Sequence, residues 1–223
     1  MPRDATSTRE RLLTAGEHLF ARKGVDGALT REIVTLAGQA NDSAVHYHFG
    51  SRRGLLAAIV DRHMRRMEEQ RKPALDALEA ASASEADLGA DLGAVLAAVV
   101  EPMTAELTDQ SGRDFLRIVA QLAGEAGART GEVPHPLAGT ALAGQLALLH
   151  ARCRDHLAEP VARERIAIAI VMLTAALADR AHRIDEHLPV LLDHQAFVTN
   201  LTTMLTAALL APAKARESGL SAH

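Results

Sequence analysis

An all-α fold follows from three properties of the sequence. Its apolar residues are mostly Ala and Leu, which lead the helix-propensity ranking. Aromatic residues make up only 2% of the 223 positions and β-branched runs are short, so strands lack the residues they favour. Apolar positions recur at helical rather than alternating spacing. With 48% hydrophobic residues the chain can bury a substantial core. Its length suits one large domain, or two small ones that share a boundary helix.

The elements can be placed in order. Ser7, with Glu10 three residues on, offers a capping start. Leu12, Leu13, Gly16, Leu19 and Phe20 then form one helical face, and Gly24 after Arg22 and Lys23 supplies a stop. The first helix is predicted over about 8–23. Gly27 lies in the next turn. Thr30 caps a short second helix, 30–37, which Gly38 ends. Gln39, Ala40 and Asn41 make a tight turn, and Asn41 caps a third helix, 42–48, with Val45 and Phe49 inward. Gly50 and Ser51 break it, and Ser51 caps a fourth helix that runs to Arg71, before Pro73 interrupts the pattern. The stretch 80–90 is rich in Ala and Ser and reads as a loop or a frayed helix end. Long helices follow over about 86–108, 113–127, 137–158, 160–183 and 192–211. Pro134, Pro136, Pro160 and Pro189 fall at the breaks. The expected organisation is a helix-turn-helix domain over 1–51, a larger helical domain over 52–212 and a disordered tail over 213–223.

Charge is unevenly spread. Residues 1–72 carry 13 Lys and Arg against 9 Asp and Glu, and the remainder carries 11 against 19. A basic N-terminal third on an acidic body suits one end meeting a polyanion. Cys153 is the only cysteine, so no internal disulfide is expected. The N-terminus has no secretory h-region. The apolar run Ile166–Ala178 is bounded by Arg163, Arg165 and Asp179 and is short of a membrane span. A cytoplasmic protein without membrane attachment is the expectation.

Two short helices separated by a Gly-containing turn form a helix-turn-helix pattern. The first braces the second, whose exposed side chains can enter a groove about 12 Å wide. The outward face of the second helix presents Asp42, Ser43, His46, Tyr47 and His48. Ala44, Val45 and Phe49 face inward.

At these residues the sequence resembles a known family. Thr30-Arg-Glu-Ile33, Ala37-Gly38 and the run Val45-His-Tyr-His-Phe-Gly-Ser-Arg-Arg-Gly-Leu-Leu56 are similar to the N-terminal domain of TetR-family regulators. The resemblance covers about residues 8–60. It implies that Thr30 and the start of its helix hold a phosphate. Asn41, Ser43, Ala44 and His46 match positions on the recognition helix. Tyr47 matches a phosphate-contacting position, His48 is its neighbour, and Arg52, with help from Arg53, stands where a basic residue meets phosphate. The turn over 39–41 is one residue longer than the commonest family form. Leu29 stands where a capping hydroxyl is frequent, and His46 where an aromatic is.

For the body, the resemblance implies a ligand-binding and dimerisation domain. The last two helices are apolar on more than one face, through Ile166, Ile168, Ile170, Val171, Leu173 and Leu177, then Phe197, Leu201, Met204, Leu205 and Leu209. Such helices need a partner beyond their own core. A homodimer through them matches a palindromic operator. Met67, Met103, Phe115, Gln121, His150, Arg154 and Met172 are the candidate effector-lining residues. Flexible Met suits an adaptable pocket. His150, Cys153 and His156 spread too widely around a helix to share one metal. His182, Asp185, His187 and His194 read as surface groups near a helix break. No cofactor or metal is expected, and no Ser-His-Asp set, phosphate loop or paired-Cys motif is present. The expected function is a DNA-binding transcriptional repressor, released from double-stranded operator DNA by a small-molecule effector. The alternative is an all-α small-molecule-binding protein or enzyme without DNA function.

Overall fold

The computed structural model of the chain describes residues 2–41, 43–81, 88–126 and 139–213. Among them are nine α-helices and one short 3₁₀ turn, and no strand. They are α1 (Pro2–Lys23), α2 (Thr30–Leu36), α3 (Ser43–Phe49), α4 (Arg52–Ala81), α5 (Leu88–Ala105), the 3₁₀ turn (Glu106–Thr108), α6 (Gln110–Ala126), α7 (Ala141–Arg154), α8 (Glu159–Asp185) and α9 (His194–Leu210).

Several boundaries differ from the sequence expectations, each for a local reason. The first helix begins at Pro2, so Ser7 is inside it rather than at its cap. The cap of α2 is Leu29, not Thr30; the Glu32 carboxylate accepts from the Leu29 N–H at 3.4 Å. Asn41 does cap α3, with Oδ1 accepting from Ser43 N at 2.9 Å. Ser51 likewise caps α4, its Oγ accepting from Gly54 N at 2.9 Å. The fourth helix passes through Pro73 and continues to Ala81. Pro73 costs the Glu69 carbonyl its helical partner. Both residues are exposed, so water can satisfy that carbonyl. The last two helices start at Asp193 and Ala158 caps, one or two residues from the expected breaks. The expected break around Pro134 and Pro136, most of the 80–90 stretch and the tail over 214–223 lie outside the described residues.

Two apolar cores organise the chain. The N-terminal one collects Leu12, Leu13, Phe20, Ile33, Val34 and Val45 with Leu55 and Ile59 from the start of α4 and Ile118 from α6. The other collects Met67, the buried faces of α5, α7, α8 and α9, and Phe115 and Leu116 of α6. The fourth helix therefore serves both cores, and α6 packs against α1 as well as against α8. The stretch Leu88–Thr108, which contains α5, is long and apolar enough to cross a membrane by length and composition, but α5 packs as a core helix against α4, α7 and α9.

A buried charged cluster joins the two cores. His63 of α4 is 2% exposed and sits between two carboxylates. Its Nδ1 lies 2.6 Å from Glu106 Oε2 and its Nε2 lies 2.5 Å from Glu17 Oε1 of α1. The ring stacks on Phe115, with centroids 4.3 Å apart. Glu17 also accepts from Arg62 at 2.7 Å and from Ser111 Oγ at 2.6 Å. Glu106 also accepts from both ends of the Arg66 guanidinium. Gly112 makes this arrangement possible, because a Cβ there would meet the Glu106 carbonyl oxygen at 2.1 Å. Burial works to lower the His63 pKa. The hydrogen bonds to Glu106 and Glu17 outweigh it and hold the imidazole above its ordinary range. Burial likewise works to raise the Glu106 carboxyl, and the bonds from His63 and Arg66 hold it below its ordinary range.

The signs of these shifts set a pH profile. The raised His63 pKa contributes stability that is complete below about pH 6.5 and is lost as pH climbs through the folded-state value. The lowered Glu106 pKa contributes stability that is lost as pH falls below the ordinary carboxylate range. Urea unfolding should therefore show stability falling as pH rises above about 6.5, and His63→Leu should flatten that slope. Glu106→Gln should destabilise by about 3–5 kcal/mol, as expected when one member of a buried pair is removed.

Candidate nucleic-acid interface

The site is built on α3, a helix of seven residues, about 10 Å long. Its attachment is through Val45, which is 1% exposed, and through half-buried Phe49 and Ala44. The turn before it is closed by Gly38, at φ +67°, a conformation that favours glycine. Gly38 N donates to Thr35 O at 3.0 Å and Gln39 N to Val34 O at 3.0 Å, closing the end of α2. α2 is anchored in turn by Ile33 and Val34. The recognition helix is thus held by one face, and its opposite face is free.

That free face carries Ser43, His46 and Tyr47, all exposed. The Tyr47 ring is 82% exposed, which no packing role explains. His48 is half-buried and meets Tyr47 edge-on, with centroids 4.9 Å apart. Asn41 is exposed but spends its carbonyl oxygen on the cap. Thr30 is half-buried in the first turn of α2, beside exposed Arg31. Asp42 lies outside the described residues.

The two arginines at the start of α4 have different surroundings. Arg53 is exposed. Arg52 is turned back against the protein. Its guanidinium donates to the Val25 carbonyl and, at 3.1 Å, to the Ala28 carbonyl. It also lies 5.9 Å from the Phe20 ring centre. Arg52 therefore pins the loop between α1 and α2 to the start of α4, a role that its sequence position did not announce. Arg9 of α1, unremarked in the sequence, lies 5.1 Å over the Phe49 ring and supports the end of α3.

The candidate effector residues do not converge. Met67, Met103 and Phe115 share the core of the body. Gln121 instead clamps α6 to α1: its Oε1 accepts from Val25 N at 2.8 Å and its Nε2 donates to Phe20 O at 3.3 Å. His150 and Arg154 both face Glu159, at 3.2 and 2.9 Å. Met172 lies on the exposed face of α8. Cys153 is buried and His156 bonds to the Leu209 carbonyl at 3.2 Å, so the three residues at this end of α7 point apart. Asp185, expected at the surface, is buried in ion pairs with Arg113 and Arg117 at 2.5 and 2.8 Å. Among the described residues no group of His, Cys, Asp and Glu could hold a metal ion. Several buried polar residues were not singled out by the sequence: His63, Glu17 and Glu106 at the junction, Gln145 of α7, and Arg71 of α4, which is 1% exposed.

Comparison with known proteins adds to this geometry. Residues 12–59 match the family model of bacterial regulatory proteins of the tetR family. The fold is similar to that of a TetR-like transcriptional regulator from Rhodococcus sp. RHA1, at 14% identity and a TM-score of 0.52, covering 92% of this chain and 96% of that one. A TetR-family regulator from Streptomyces coelicolor A3 aligns at 20% identity over 92% of this chain and 95% of its own, with a TM-score of 0.43. FadR from Bacillus subtilis, solved with stearoyl-CoA, aligns at 12% identity over 92% and 98%, also at 0.43. None of the curated proteins matches the chain.

The surroundings of Tyr47 and Arg52 separate two kinds of substitution. Tyr47→Ala should leave the stability to chemical denaturation within about 0.5 kcal/mol of the parent, because the ring is exposed and meets only the edge of half-buried His48. Val45→Ala should cost about 1–3 kcal/mol and Arg52→Ala about 1–2 kcal/mol, since the first opens a cavity and the second strands two carbonyls.

Proposed function

We propose that this chain, a DNA-binding transcriptional regulator of the TetR family by its N-terminal domain and its fold, is a cytoplasmic repressor that binds a palindromic operator as a homodimer and is released by a small-molecule effector. The observation that carries the DNA reading is α3, anchored by Val45 and presenting Ser43, His46 and Tyr47 outward. In this reading Ser43 and His46, with Ala44 and the free amide of Asn41, approach base edges. Tyr47, His48, Arg53 and Thr30 approach the backbone, and Arg52 contributes by holding the frame as well as by charge. Phosphate neutralisation supplies much of the affinity, which makes binding salt-dependent.

The homodimer reading rests on the outer faces of α8 and α9. Ile168, Val171 and Met172 of α8 and Met204 of α9 are exposed, Ile168 at 50% and Met204 at 51%. The whole of α9 contains no Lys, Arg, Asp or Glu. A surface helix without charges is unusual for a face that meets water, and it suits one covered by a second copy. Two copies packed there would form a four-helix arrangement, and a palindromic operator requires their recognition helices to lie about one DNA turn, about 34 Å, apart.

Release requires a state that the effector binds better than the operator-bound one. The fourth helix is the natural lever, since it enters the N-terminal core through Leu55 and Ile59 and the body through Met67.

A gel-shift with DNA from the gene's own promoter region tests the DNA reading. Retention should be specific, weaken steeply with added salt and be lost in Tyr47→Ala/Arg53→Ala while the variant stays folded. Retention unchanged by that pair, or none at low salt, removes it. Sedimentation tests the assembly. The parent should run as a dimer and Val171→Glu/Met204→Glu as a folded monomer with weakened operator binding; a parent that is monomeric at micromolar concentration removes the dimer.

A further inference from the structure

Arg71 is the largest fully buried side chain of the described residues, yet no carboxylate among them forms an ion pair with it. Its guanidinium reaches only sulfur atoms, Met67 Sδ at 3.5 Å and Met64 Sδ at 3.9 Å, and its Nε has no hydrogen-bond partner. Among the described residues no carboxylate pairs with it. The two acids nearest in influence are engaged elsewhere. Glu68 accepts from the backbone of Ala141 at the start of α7, and Glu106 is bound by His63 and Arg66. Burial pushes the Arg71 pKa down to about 10, so the group remains charged at neutral pH.

A second unpartnered polar atom belongs to a residue that touches the Arg71 backbone. Gln145 of α7 is fully buried. Its Nε2 donates to the Arg71 carbonyl at 3.4 Å and to the Ala98 carbonyl at 3.3 Å. Those two acceptors fix the amide orientation, and Gln145 Oε1 is left without a donor. Where α4 meets α5 and α7, a buried cation and a buried acceptor are thus both without a hydrogen-bonding partner for one atom among the described residues.

We infer that this crossing is the effector site and that the effector is an organic carboxylate, its acid group paired with the Arg71 guanidinium and its apolar remainder lying along Met64 and Met67. This deepens the reading of the chain as an effector-released regulator, and rests on it. The planar guanidinium offers two parallel donors matched to a carboxylate. A single cation in apolar surroundings favours a monoanion over a doubly charged phosphate, whose second charge would stay uncompensated. Gln145 Oε1 accepts from a hydroxyl or amide of the ligand, or from a water that enters with it. The two methionines adapt to ligands of differing shape. Arg71 stands two helical turns, about 12 Å, beyond His63 on the same helix, so occupancy acts directly on the helix that enters the N-terminal core.

The test is isothermal titration of the full-length protein, without DNA, against carboxylates from butanoate to tetradecanoate, benzoate and salicylate. Each acid is paired with its neutral primary amide, and inorganic phosphate is included. At least one acid should bind about tenfold or more tightly than its amide, and phosphate should not compete with it. Arg71→Gln and Arg71→Met should erase the preference for acid over amide, and Arg71→Lys should retain it in weakened form. Without ligand, Arg71→Met should melt no lower than the parent, because a stranded buried charge has been removed. Equal binding of acid and amide, no binding by any acid, acid preference kept in Arg71→Gln, or collapse of Arg71→Met would each overturn the assignment. The promoter gel-shift on the same proteins separates the two readings. Acid binding without operator retention sinks the regulator and leaves the site. Operator retention with no acid-selective binding sinks the site alone, and acid that binds through Arg71 yet leaves retention unchanged overturns its role as effector.

Discussion

Two buried carboxylates from separate elements are held by one imidazole, that of His63, which both of them raise above its ordinary pKa. Glu17 belongs to α1, Glu106 to the 3₁₀ turn, and the imidazole of α4 touches both. Each carboxylate is then completed by an arginine of the same helix, Arg62 or Arg66. The orientation of the N-terminal helices relative to the body is therefore defined by short, directional bonds rather than by apolar contact alone. Such a junction resists gradual deformation: α4 holds both carboxylates, or it lets one go and must find other partners for a buried charge. In the proposed regulator, that two-valued character would couple the body to the N-terminal helices.

The same helix shows how the sequence is shared among tasks. Leu55, Ile59, His63, Met67 and Arg71 follow one another at four-residue intervals and are all buried. The first two complete the N-terminal core, the third makes the junction, the fourth enters the core of the body, and the last carries a charge among sulfur atoms. A purely structural stripe has no need of ionisable groups at its third and fifth positions. Their presence marks where this helix does more than pack.

The fold class, the nine-helix order and the exposed recognition helix were legible because they rest on local signals: helical apolar spacing, Gly38 and Gly50, and the Asn41 and Ser51 caps. What escaped depends on chain segments far apart. Pro73 reads as a stop, and its cost is tolerable because the freed carbonyl faces water. Arg52 reads as a DNA contact, and only folding brings the Val25 and Ala28 carbonyls within its reach. Gln121 reads as a pocket residue, and its partners lie about a hundred positions earlier in the chain. Arg71 could have been found. A charged residue continuing the apolar stripe through Ile59 and Met67 contradicts its own helical face, and that contradiction is visible in the sequence.

The absence of charge on α9 bears on how the protein behaves as ionic strength changes. Contacts to phosphate weaken when counterions compete for them, whereas an uncharged helical face has no charge pairs for salt to screen. In the proposed homodimer, a rise in ionic strength would thus weaken the hold on the duplex before it weakens the contact between the two subunits. Reoccupation once ionic strength falls would then be a single encounter of a ready-made pair with its site, without a slower reassembly step.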